Sequence, residues 1–97
     1  MEGSRHDFDW DSANTKKCQK HGVSIAEIEF LFMHDPAVYP DLTHSRIEKR
    51  YLAIGQNEAG RYIFASFTYR EWGNARIIRP ISARYMHRKE IEYYNSL

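Results

Sequence analysis

Apolar positions along the chain change rhythm several times, and each rhythm predicts a different element. Phe8 and Trp10 alternate with Asp7, Asp9 and Asp11, the period-2 pattern of a short half-buried strand. Asp11 then suits the N-cap of a helix beginning at Ser12, because its carboxylate can accept from the free amides of the first turn. Lys16, Lys17, Lys20 and His21 gather toward the end of that helix, where the dipole favours positive charge, and Gly22 can take the left-handed position that stops it. Ser24 followed by Glu27 reads as the capping box of a second helix. Ile25, Ile28, Leu31 and Phe32 recur at helical spacing, which predicts one buried face and an end near Met33. Residues 34–45 contain Pro36 and Pro40 and read as a loop, with at most a short extended piece at 37–39.

Three runs rich in Tyr, Ile, Phe and Thr follow, at 48–55, 61–69 and 75–82. The links between them are hairpin-sized and contain glycine, so the runs predict an antiparallel meander. Pro80 cannot donate to a ladder, which places its strand at an edge or at a bulge. Residues 86–95 read as a final helix on the sheet, with Ile91 and Tyr94 at i,i+3 spacing and Tyr94 as core. The expected fold is therefore α+β: a short N-terminal strand plus a three-stranded meander, with two N-terminal helices and one C-terminal helix. Residues 1–6 have no apolar period and read as a disordered start or an expression remnant; residues 7–97 read as a single domain.

Composition narrows the function classes. Among 97 residues, 42% are hydrophobic and 28% charged, which is ordinary globular usage rather than that of a disordered chain. No apolar run approaches the roughly 20 residues of a membrane helix, and the polar, acidic start does not resemble a signal peptide; the expected location is the cytoplasm, with no membrane partner. The single Cys18 has no second cysteine for a disulfide or metal site. Net charge is only +1, but from Arg70 onward six Lys or Arg stand against three acids, while the rest of the chain carries eight against ten. Any positive field is C-terminal.

The candidate chemistry follows that asymmetry. Arg76, Arg79, Arg84 and Arg88 flank one strand and the start of one helix. Such a group suits anion binding, because guanidinium groups match phosphate oxygens bidentately and stay charged at any working pH. Arg88 and Glu92 at i,i+4 also fit a plain surface pair. Tyr85 and its neighbouring tyrosines sit among these bases, where aromatics can hold unstacked RNA bases. Lys20 and His21 answer the helix dipole, and they also fit a phosphate contact and a proton-transfer group. Glu27 is a capping acid first. His34, His44 and Trp72 are loop residues with no partner visible in sequence. No metal-spacing motif, P-loop, nucleophile elbow or activated-cysteine setting occurs, so no cofactor is expected.

Three segments in order carry a family resemblance: Phe8-Asp9-Trp10-Asp11; Lys20-His21-Gly22-Val23-Ser24 with Glu27; and Ile78-Arg79-Pro80-Ile81-Ser82-Ala83-Arg84 followed by Glu90 and Tyr94. Over about residues 7–95 the chain resembles the BrnT family of bacterial ribonuclease toxins. The resemblance implies a RelE-like fold and metal-independent endonucleolytic cleavage of RNA that stops translation and growth. It also implies a BrnA-like ribbon-helix-helix antitoxin as partner, with operator DNA reached only through that antitoxin. One departure stands out: many relatives carry asparagine where Lys17 stands and lysine where Asn14 stands. On this reading Lys20, His21, Arg79 and Arg84 are catalytic, and Arg76, Arg88 and Tyr85 bind RNA. The alternative is a catalytically inactive toxin-fold module that docks an antitoxin or another protein.

Overall fold

Two capping boxes start the helical half of the molecule, whose computed structural model describes residues 7–44 and 47–97. At the first, the Asp11 carboxylate accepts the amides of Ala13 and Asn14 at 2.9 and 3.0 Å, while the Asn14 side chain accepts the Asp11 amide at 2.8 Å. These bonds satisfy donors that the opening turn of α1 (Ser12–Cys18) leaves without helical partners. The helix is shorter than its pattern predicts: Gln19 is the C-cap, and the chain reaches Gly22, at φ 90°, through a turn. At the second box, Ser24 and Glu27 exchange bonds of 2.9 and 3.1 Å and start α2 (Ile25–Met33), as the spacing predicted.

The strands are β1 (Ala37–Pro40), β2 (Tyr51–Gln56), β3 (Tyr62–Trp72) and β4 (Ala75–Tyr85), and they form one antiparallel sheet in chain order. A last helix, α3 (Arg88–Asn95), follows. The α+β class and the meander are as expected, but the fourth strand is β1, the segment read as a short extended piece within a loop. The N-terminal segment, expected as that strand, makes a single parallel bridge from Phe8 to Ile78. Asp9 N–H donates to Ile78 O at 2.8 Å and Ile78 N–H donates to Asp7 O at 3.0 Å. The α1 cap at Asp11 comes too soon after it for a ladder to extend. The expected loose start, residues 1–6, and Ser45 at the end of the expected loop lie outside the described residues.

Alternation along β3 sorts the sheet into two faces. Ile63, Ala65 and Phe67, all nearly inaccessible, turn toward α1 and α2, where Cys18, Val23, Ile28, Leu31 and Phe32 complete the core. The Cys18 thiol is pushed up to about 11 by that burial, so it is an inert packing group. Phe64, Ser66 and Thr68 turn the other way. That second face is covered at one end by α3, which buries none of its own residues completely. Tyr94, expected as core, is half-buried with its ring centroid 6.2 Å from that of Tyr62, because the helix lies on the open face rather than between layers.

Candidate functional site on the open sheet face

A bulge decides which arginines share a face. Ser66 pairs with Ser82 but Phe67 pairs with Pro80, so Ile81 is an extra residue in β4. Five positions separate Arg79 from Arg84, which would put them on opposite faces of a regular strand; the extra residue restores them to the same one. Their partners on β3 are Thr68 and Phe64, four residues apart, so the two arginines stand roughly 13 Å apart along the strand. Pro80 sits on the edge strand beside the bulge, where a missing N–H is tolerated, and its carbonyl accepts from the buried Asn14 side-chain amide at 2.9 Å.

Between those arginines lies a hollow of about 370 Å³. Ser66, Ser82 and the apolar Leu52, Phe64 and Ile81 line it, and Lys17, Arg50, Asp41 and His44 complete its walls. Lys17 gets there because α1 runs along β4: successive helix positions point about 100° apart, so while Cys18 enters the core, Lys17 reaches the rim of the open face. Arg84 adjoins the hollow through Phe64, its guanidinium carbon 4.7 Å above that ring.

The arginines are held by acids. Glu90 takes Arg84 bidentately, at 2.8 Å to each nitrogen, and Arg84 holds the Glu90 carboxyl down to about 2. A third bond, to the Tyr85 carbonyl, is long at 3.4 Å, so guanidinium donors remain on the solvent side. Arg79 lies 3.0 Å from Asp11 and 3.4 Å from Asp9. Burial lowers the affinity of Arg79 for its proton, but hydrogen bonding to Asp11 and the charges of Asp11 and Asp9 outweigh it. Arg70 extends this network to Glu48 and, at 3.9 Å, to Asp9. Arg79 thus ties the N-terminal segment to β4, whereas Arg84 is the better exposed of the two.

The other sequence-derived candidates are dispersed. Tyr85 pairs in register with Ile63 and so lies on the helix side of the sheet, its hydroxyl donating to Glu27 at 2.7 and 2.9 Å and its ring beneath Arg61. Arg76 stacks on Tyr69, also on that side. Arg88 is exposed on α3 and faces Glu92 at 3.5 Å, the surface pair its spacing allowed. Lys20 and His21 are exposed in the turn after α1. Lys17, Asp41, His44, Arg50, Ser66 and Ser82 were missed. The one sequence signal for them was Asp41 three residues before His44, a turn-forming acid beside a histidine.

Glu27 is structural. Partial burial would raise its carboxyl, but the Ser24 amide, Asn57 and Tyr85 bring it down to about 2. Glu27 and Glu90 both titrate near 4.3 in an unfolded chain. The stability each contributes is therefore complete above about that pH and is lost as pH falls toward 2. We expect the urea midpoint of the wild type to fall from pH 6 to pH 3, and to fall less in Glu27→Gln; equal falls would show that Glu27 is not linked to folding.

A family model described as a ribonuclease toxin, BrnT, of type II toxin-antitoxin system matches residues 10–90 of this chain. No curated protein matches it.

Proposed function

We propose, from the premise that this chain belongs to the BrnT family of ribonuclease toxins, that it cuts RNA without a metal ion on the open face of its sheet. The observation that carries this reading is the bulge at Ile81, which places Arg79 and Arg84 on one face with Lys17 and Arg50 around the hollow between them. Cleavage without a metal requires cations that hold a phosphodiester and neutralise the charge added as the neighbouring 2′-OH attacks it. Arg84, with donors left over from Glu90, makes the central phosphate contact, and the Phe64 ring beneath its guanidinium backs it. Arg79 fixes the far end of the face. Lys20 and His21, at the end of the helix along β4, extend the positive border toward the RNA backbone. An antitoxin of the ribbon-helix-helix type silences the enzyme and alone contacts operator DNA. The acids that occupy Arg79 and Arg84 favour one rival, a module that has lost catalysis and docks its partner.

A direct test uses purified protein and a short RNA. We expect cleavage unchanged by excess EDTA, leaving a 2′,3′-cyclic phosphate and a 5′-hydroxyl, and no cutting where the target nucleotide is 2′-deoxy. Loss of activity in EDTA would defeat the metal-free mechanism. Intact RNA in every condition would favour the rival.

A further inference from the structure

We infer that His44, oriented by Asp41, is the group that takes the proton from the attacking ribose hydroxyl; this rests on the reading that RNA is cut on the open sheet face. Asp41 opens the turn after β1. Its Oδ1 accepts the amides of Thr43 at 3.2 Å and His44 at 3.3 Å, and its own amide donates to Arg50 O at 2.9 Å. With its side chain only 10% exposed, the carboxylate is fixed in place. Its other oxygen lies 3.1 Å from His44 Nδ1. An ionised carboxylate only accepts, so Nδ1 carries a proton, and in the neutral ring Nε2 then keeps the lone pair that a general base needs. A base oriented by a third group is the arrangement that proton transfer in enzymes commonly uses.

Position supports the same role. His44 lines the hollow with Lys17, Arg50, Ser66 and Ser82, so a phosphate held there has the imidazole beside it. Its side chain is 64% exposed and therefore within reach of a large substrate. The other histidines of the described residues lack this setting. His21 is exposed with no hydrogen-bonded side-chain partner, and the His34 ring bonds the Phe30 carbonyl at 2.8 Å and stacks on the Phe30 ring. The His87 backbone amide, rather than its ring, meets Glu90. Among the described residues His44 alone has its ring hydrogen-bonded to a carboxylate.

Nε2 of His44 removes the 2′-OH proton as that oxygen bonds to phosphorus, and the bond from phosphorus to the 5′-oxygen breaks. The leaving 5′-oxygen takes a proton from water, and the hydroxide so formed is neutralised by the proton that the imidazolium releases. The products are a 2′,3′-cyclic phosphate and a 5′-hydroxyl, with the enzyme unchanged.

The test compares wild type, His44→Ala, His21→Ala and Asp41→Asn in single-turnover cleavage of one RNA. Binding of a 2′-deoxy analogue and the response to added imidazole are measured alongside. His44→Ala should lose about 100-fold or more in rate, bind the analogue as the wild type does, and recover part of the rate in imidazole; Asp41→Asn should also be slowed. Full cutting by His44→Ala, or a loss in His21→Ala that His44→Ala does not share, would overturn the assignment while leaving the ribonuclease reading intact. A wild type that cuts no RNA would instead remove the reading on which it rests.

Discussion

Replacing Arg84 with alanine is expected to lower the rate of RNA cleavage by roughly 100- to 1000-fold, the usual effect of removing one preorganised donor from a transition state. The expectation comes from how the residue is held. Glu90 grips two guanidinium nitrogens and Phe64 lies under the plane, so the side chain is fixed before substrate arrives and gives up little freedom on binding. Both partners of the pair are about one-third exposed, which limits the loss of stability to about 1 kcal/mol or less. The variant should therefore fold. Arg84→Lys retains the charge but loses the planar fork, and it should fall between wild type and Arg84→Ala. A folded Arg84→Ala that cuts at the full rate would remove this residue from the site.

The largest effect on stability should come from Phe67→Ala. Phe67 is 1% exposed, and its ring meets Phe32 edge-on at 4.8 Å, Tyr69 at 5.3 Å and Tyr51 at 5.6 Å. It joins the helices to the middle of the sheet. Truncating such a residue costs about 3–5 kcal/mol, a large share of the roughly 5–15 kcal/mol that holds an ordinary domain folded. Urea denaturation should show that loss as a lower midpoint with little change in slope. A loss below about 1 kcal/mol would mean that this aromatic group is not the centre of the core.

Much of the architecture was legible because it is written locally. Asp11, Ser24 and Glu27 announce two helix starts through short-range hydrogen bonds, and glycine-bearing links separate the strands of the meander. The errors lie where distant segments decide. Residues 37–40 form a strand despite Pro36 and Pro40 because β2 offers them an edge. Phe8 does not, because the cap at Asp11 ends its pairing after one residue. Along the chain the arginines looked like one cationic group, yet Asp9 and Asp11 meet Arg79 from about seventy residues away, and no local pattern reveals that. Nor does periodicity reveal the extra residue at Ile81, which reverses the facing of everything after it. One error is local: His44 looked partnerless, yet Asp41, three residues earlier, meets its ring through a turn. Lys17 stands on the wall of the hollow, while Asn14 is buried and bonded to the Asp9 and Pro80 carbonyls. These two α1 positions thus divide into one that serves the fold and one that faces the hollow.

Cleavage at the open sheet face is tested by inducing the wild type and Arg84→Ala in bacteria that lack an antitoxin, with soluble protein, growth and total RNA followed together. The wild type should halt growth and fragment RNA, while equally soluble Arg84→Ala should leave both unchanged. Soluble wild type that leaves RNA intact, or Arg84→Ala that fragments it as fast, would contradict a catalytic site on the open face of the sheet.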